Sequence, residues 1–405
     1  MKKYLVLFFV LAGIFLFTAD SFAGAKLKIG DSEDMYLDLG MRVQTLMIAN
    51  WSKDKNGDGD ADDSVDFYLR RARFRLKGVI GKYASMFMQT DVSGKNMEMI
   101  DAFIDIHPFP FLKITMGEHM NPSLRTNITS SACLLAGDRP SLTYKTLTWG
   151  LKAKTIFTSS SVPGTSQNDN YSVPFGVRDL GLTVNGNIDL TKELHLKYYV
   201  GIYKGMQLDE TVEDINLRYT GRIEVNLFDA ESGYFHKATY LGKKKTVAVG
   251  FSYDYQNDIG TDNNGSNPTD YNFYTLDIFA ELPIAGLGAL TVEGAFMSLD
   301  LDGAVNVNDD TDINGKNNEG IGGYGQVGFY ISSLKLQVWQ MFEMWNAEAA
   351  GDVGDFWASR TGVTYYHKGF NLNAKLGFEY MKSPVPIAGN DKQNYGILFG
   401  FYANY

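Results

Sequence analysis

The chain has 405 residues, among them 24 Tyr, 26 Phe, 42 Gly, 10 Pro and a single Cys. One cysteine, Cys133, excludes an intramolecular disulfide and any cysteine-built metal site. A formal net charge of −10 argues against a nucleic-acid partner.

The N-terminus reads as an export signal. Lys2 and Lys3 precede an unbroken apolar run at 5–17, and Ser21-Phe22-Ala23 supplies small residues at −3 and −1. Cleavage is expected after Ala23, so that 1–23 is a signal peptide and 24–405 a single domain. No Cys follows that site, so no lipid anchor is expected. No other apolar run approaches the roughly 18–20 residues of a transmembrane helix. Removing the leader leaves 35 basic against 46 acidic side chains, a net of −11.

From Met35 to the C-terminus the chain repeats period-2 alternation in stretches of about 10 residues or more, longer than the usual soluble strand. The first stretch starts near Met35 and ends in an acidic loop at 52–66. There Asp54, Asn56, Asp58, Asp60 and Asp62 set oxygen ligands at alternate positions, and Gly59 follows the third, as in calcium loops. Val65 stands where such loops carry a bidentate Glu. A calcium site and a solvated acidic loop both fit this pattern. Asp310, Asp312, Asn314, Gly315 and Asn318 echo it. Calcium at either place would bridge lipopolysaccharide phosphates; no other cofactor is expected.

The second stretch, 67–79, puts Arg71, Arg73, Arg75 and Lys77 on one face and Ala72, Phe74 and Leu76 on the other. A charge facing lipid at mid-bilayer costs roughly 2–4 kcal/mol, so all four face a lumen. Such a ladder either favours anions in a pore or pairs with neighbouring Asp91, Asp101 and Asp105.

Further stretches start near Ser85, Met97 and Leu112, then after a long gap near Asp179, Leu194, Ile215, Thr246, Asn272, Gly288, Gly320, Leu334, Phe356, Phe370 and Asn394. A seventeenth run, 147–158, falls inside the gap 119–178. Bacterial barrels normally have an even strand number, so it is read as part of a long third outer loop. Short connections at 81–82, 108–111, 189–193, 283–286, 332–333 and 368–369 alternate with longer, Asn-rich and acidic ones. The expected fold is therefore all-β: a transmembrane antiparallel β-barrel of about 16 strands, with the third outer loop folding into the lumen. Alternation assigns Arg42, Lys197, Arg218, Arg222, Lys335, Arg360 and Lys375 to the lumen. Glu224, Asp254, Asp277, Glu281, Glu293, Glu343 and Glu379 face them.

The Arg-Arg-Ala-Arg at 70–73 resembles the phosphate-selective porin O/P family. So does Gly117-Glu118-His119-Met120-Asn121-Pro122, followed by Ser130-Ser131, Leu134 and Asp138-Arg139. Arg178-Asp179-Leu180-Gly181 and the tail 394–405 resemble it as well. The resemblance implies a homotrimeric, 16-stranded outer-membrane porin, with Arg125, Arg139, Lys145, Lys152 and Lys154 on or near the constriction loop. Phosphate selectivity is not carried over, because the third-loop segment diverges and several inward positions are acidic.

The function expected is a water-filled channel in the bacterial outer membrane, set among lipid and lipopolysaccharide, for small hydrophilic or anionic solutes. The alternative is a plugged surface barrel with a structural or adhesive role. No catalytic motif is present, and His195, the one histidine with clear inward phase, reads as a lumenal polar residue rather than a base; no enzyme is expected.

Overall fold

The computed structural model describes residues 25–29, 34–53, 62–93, 97–143, 177–205, 216–262, 267–304, 319–348, 354–384 and 393–405. The leader, the stretch 54–61, the run 147–158 and the stretch 305–318 lie outside them.

The strands in chain order are β1 (Ala25–Lys28), β2 (Met35–Lys53), β3 (Asp62–Ile80), β4 (Ala84–Asp91), β5 (Glu98–Phe109) and β6 (Leu112–Met120). After the third outer loop come β7 (Arg178–Asp189), β8 (Leu194–Tyr203), β9 (Arg218–Phe228), β10 (Thr246–Thr261), β11 (Pro268–Ile284) and β12 (Gly288–Asp300). The last are β13 (Gly320–Ile331), β14 (Leu336–Ala347), β15 (Phe356–Tyr366), β16 (Leu372–Lys382) and β17 (Gln393–Asn404).

Each of β2–β17 pairs antiparallel with its chain neighbour, and β17 closes on β2 from Gly396↔Asn50 to Asn404↔Arg42. The result is a closed 16-stranded barrel with no free edge. β1 is an addition that the alternation did not signal, being too short to show a period. It folds back on β2 from Ala25↔Leu39 to Lys28↔Tyr36, taking up the pairing where β17 ends. Two strands begin earlier than the pattern predicts, at Asp62 rather than Phe67 and at Pro268 rather than Asn272. Pairing there continues into a polar stretch, where an apolar face no longer marks it.

The wall is two-faced because its two sides meet different solvents. On β9, Arg218, Thr220, Arg222, Glu224 and Asn226 are buried on the inner side. Tyr219, Ile223, Val225 and Leu227 are exposed on the outer. The same holds for Leu276 and Ile278 against Thr275 and Asp277 on β11. An exposed apolar band round a closed polar interior is the arrangement a bilayer stabilises. Aromatics crown it at both rims. Tyr253 stacks on Tyr274 at 4.6 Å and Trp357 meets Tyr380 at 4.9 Å towards the long loops, while Phe109 stacks on Phe111 at 5.1 Å at a turn.

Six of the turn-side connections are short. The connection between β9 and β10 is not: it runs through 229–245 and buries Glu231, His236, Ala238, Thr239 and Tyr240. Its neck is closed by Asp229 N–H donating to the Lys245 carbonyl at 2.9 Å and Lys245 N–H donating to the Asp229 carboxylate at 2.7 Å. One correction of placement follows from the turns: Lys335, expected in the lumen, sits exposed in the β13–β14 turn with φ of +51°.

Candidate functional site

The candidate site is the lumen, which two inserted segments cross. The first is the described start of the third outer loop, 121–143, in which all but Ser130 and Ala132 are buried. Its two ends are tied: Asn121 N–H donates to the Val177 carbonyl at 3.3 Å, and Asn127 Nδ2 to the same carbonyl at 3.2 Å. From there the loop fastens to inward-facing groups around most of the wall. The Ser123 carbonyl accepts from Ser252 on β10 and from Thr275 on β11, the latter at 3.0 Å. The Lys375 ammonium on β16 donates to the carbonyls of Leu134, Leu135 and Ala136. Tyr402 on β17 donates to the Gly137 carbonyl at 2.8 Å, and Arg360 on β15 to Ser141 at 2.9 Å. Leu135 lies over Gly328 on β13, where a Cβ would stand 2.7 Å from its Cδ1.

The arginine ladder on β3 meets this loop. Gln44 pairs with Arg71 and Thr45 with Leu69, so Arg70 is the extra residue of a β-bulge. The bulge turns Arg70 inward beside Arg71, and both hold Asp138, at 2.6 and 2.8 Å. Burial alone would raise the Asp138 carboxyl, but the two guanidiniums hold it well below the usual carboxylate range. Arg73 pairs with Asp91 at 2.6 Å and also reaches Ser131. Arg42 donates to the same Ser131 hydroxyl. Of the partners expected next door, only Asp91 serves the ladder. Asp101 binds Arg178 through both oxygens, at 2.9 and 3.0 Å, and Asp105 accepts from Thr115.

On the opposite wall Arg218 lies between Asp254 and Asp179. Arg222 bridges Glu224 and Asp277, at 2.9 and 2.6 Å. Gly250 on β10 makes room for that bridge: a Cβ there would stand 2.3 Å from Arg222 Nη2 and 2.7 Å from Asp277 Oδ1. Arg360 pairs with Glu343 and Glu379. Arg71, Arg73, Arg218 and Arg222 thus face inward, each engaged with a carboxylate.

The second insert is 229–245. Glu231 takes a bidentate fork from Arg125 of the third loop, at 2.8 Å on each arm. Arg125 is fully buried, lies 3.7 Å from Glu224 and stacks over Phe279 at 4.0 Å. Burial by itself lowers this guanidinium, but Glu231 and Glu224 raise it well above its ordinary value. In return Arg125 overrides the burial that would raise Glu231 and keeps that carboxyl well below its usual range. His236 completes the cluster, with its ring nitrogens 3.3 Å from Glu224 and 3.5 Å from Glu231. Glu224, Glu231 and His236 are the kind of trio that holds a metal ion. Here Arg125 Nη1 lies within 3.7 Å of all three, so the cation in that socket is the guanidinium.

Lys197 donates to the Glu231 carbonyl and Tyr199 to that of Tyr234. The Tyr234 hydroxyl reaches the Met120 carbonyl, at the loop-side end of β6. Among the third-loop residues singled out from the sequence, Arg139 donates to the Thr126 and Thr129 carbonyls within the loop itself. Lys145, Lys152 and Lys154 lie outside the described residues, as do Asp54, Asn56, Asp58 and Asp60. Asp62 is the first residue of β3, paired with Lys53. His195 is engaged at both nitrogens, by Asp189 at 2.6 Å and the Phe228 carbonyl at 2.8 Å. Burial pushes the Cys133 thiol up, and the residue's carbonyl accepts from Ala238 of the second insert.

No family model matches the chain, and no curated protein matches it in sequence. Solved structures do match. The outer membrane channel DcaP of Acinetobacter baumannii aligns over 94% of this chain and 100% of its own, with TM-score 0.55 and 11% identity. The Salmonella typhi OmpF complex with daunomycin aligns over 94% and 100%, with TM-score 0.55 and 13% identity. Pseudomonas putida OprB aligns over 91% and 94%, with TM-score 0.54 and 12% identity. At these identities the likeness is one of fold.

The sequence reading missed Glu231 and His236 altogether. Their signal was available in the length and aromatic content of 229–245, on a side where every other connection is short.

Proposed function

We propose that this chain is a bacterial outer-membrane channel for small hydrophilic solutes, exported by its N-terminal leader. The observation that carries the reading is a closed wall with an apolar outer band and an inner surface of matched charges. The fold it shares with DcaP, an outer membrane channel, supports the same reading. A homotrimer is the assembly this reading implies.

The path proposed for solutes is the arc β3–β6. On β8, β9, β11, β12 and β14–β16 the inward charges of the described residues are buried. On this arc Arg75 and Lys113 are half-buried and Lys77 is exposed, near the half-buried carboxylates Asp38 and Asp105. Three cations against two carboxylates give a weak preference for anions. Because Arg71, Arg73, Arg218 and Arg222 are neutralised by partners, Arg75 and Lys77 set that preference.

The test is reversal potential in a potassium chloride gradient across planar bilayers, for wild type and for Arg75→Ala with Lys77→Ala. Conductance steps with an anion preference that falls in the double variant support the proposal. Folded protein that gives no steps removes the channel reading. Steps with cation preference unchanged by the variant remove the assignment of these residues.

A second reading, a plugged barrel with a role at the cell surface, is favoured by the two inserts that cross the lumen. Uptake of small sugars by liposomes carrying the protein counts against it.

A further inference from the structure

The two inserts enter from opposite ends of the barrel and meet along a single seam. The third loop is anchored to β2, β3, β10, β11 and β15–β17. The segment 229–245 is anchored to β8, β11 and β12, through Lys197, Tyr199, Glu281 and Thr291.

Between them the backbone forms a short parallel bridge, Thr129↔His236. Ser130 N–H donates to the His236 carbonyl at 3.0 Å, His236 N–H to that of Ile128 at 3.0 Å, and Ala238 N–H to that of Cys133 at 3.1 Å. The Arg125–Glu231 fork lies beside this bridge, and Tyr240 donates to the same carboxylate at 2.5 Å. Apolar contact across the seam is small: Ala238 against Leu135 and Ala136, and Tyr234 beside Ile128.

A seam held by directional polar bonds has one register and two states, joined or parted, where an apolar seam would slide. A turn-side connection has no need of this length to join β9 to β10, since adjacent antiparallel strands are joined by two to five residues elsewhere. The extra chain is spent on holding the third loop.

We propose that residues 229–245 are a latch that fastens the third outer loop across the lumen, and that parting the Arg125–Glu231 seam widens the channel. The proposal rests on the channel reading above. In the joined state solutes are confined to the β3–β6 arc. When the seam parts, the third loop keeps its anchors on β15–β17 but loses its support at mid-lumen. The socket of Glu224, Glu231 and His236 is then left without its guanidinium.

The experiment is single-channel recording of three proteins. These are wild type, the neutral double variant Arg125→Gln with Glu231→Gln, and a disulfide variant with Thr129→Cys and His236→Cys in a Cys133→Ser background. Folding is checked for each by the heat-modifiable gel mobility of closed barrels. The expected result is a larger unitary conductance in the neutral double variant. The oxidised disulfide variant is expected to stay at the smallest level, without transitions, until reductant restores wild-type behaviour.

Conductance of the neutral double variant equal to wild type, with the disulfide variant indifferent to reductant, overturns the latch and leaves the channel reading intact. A silent wild type beside a conducting double variant upholds the latch and removes the open-channel reading. Silence in all three folded proteins removes both. Should the neutral double variant fail to fold, the oxidised and reduced states of the disulfide variant decide by themselves.

Discussion

Asp138→Ala tests whether the third loop is held to the wall by charge. The Asp138 carboxylate accepts from Arg71 at 2.8 Å, from Arg70 at 2.6 Å and from the Arg139 N–H at 2.9 Å. Arg71 is 1% exposed and cannot be resolvated in place, whereas Arg70 is 24% exposed and can. Only the Arg71 pair therefore counts in full. Removing one partner of a buried pair costs about 3–5 kcal/mol, and the Arg70 arm adds no more than about 1 kcal/mol. The barrel wall has its own ladder, so the loss falls on docking of the loop rather than on the barrel. Amide hydrogen exchange followed by mass spectrometry on peptides from 121–143 reads that docking. Protection there should drop by roughly two to four orders of magnitude, while peptides of β9 and β11 stay unchanged. Asp138→Asn keeps the shape and should fall between the two. Unchanged protection in Asp138→Ala would refute the claim that this ion pair docks the loop.

Gly250→Ala should destabilise the barrel by about 1–3 kcal/mol, because its methyl would overlap the Arg222–Asp277 bridge; urea unfolding in detergent reads this, and a neutral outcome would mean the bridge relocates freely. Lowering pH should release the inserts only in strong acid. Asp138 and Glu231 have depressed carboxyls, so their contribution is complete above the unfolded values of about 3.9 and 4.3 and is lost as pH falls through the still lower folded ones. Protection of 121–143 should hold from pH 8 to about 5, begin to weaken below about 4 and be lost only in stronger acid; loss near neutrality would contradict the ion-pair account. The calcium reading of residues 54–62 predicts a rise in melting temperature with added calcium that Asp58→Asn with Asp60→Asn abolishes. No shift would leave a solvated acidic loop.

The sequence alone determined the two-faced wall, because a residue on a barrel strand meets either lipid or lumen and must suit it. Ile223 and Arg222 are legible as outward and inward without any neighbour being known. Most strand starts were legible for the same reason, and so was the long gap after β6. The site was legible in its residue types: Arg71, Arg73, Arg218 and Arg222 could face only inward. Of their partners, Asp91 was legible on the neighbouring strand, but the partners carried by loops were not. Asp138 reaches Arg71 from 67 residues away, and Glu231 reaches Arg125 from 106 away. Such pairs depend on which loops turn into the lumen, and no local period records that choice. Arg70 needed a bulge, which breaks the alternation that would have placed it outward. Whether Arg70 and Arg71 of the basic ladder are free or neutralised was decided only when 121–143 turned into the lumen and brought Asp138 to them, since burial makes an unpaired charge too costly to leave.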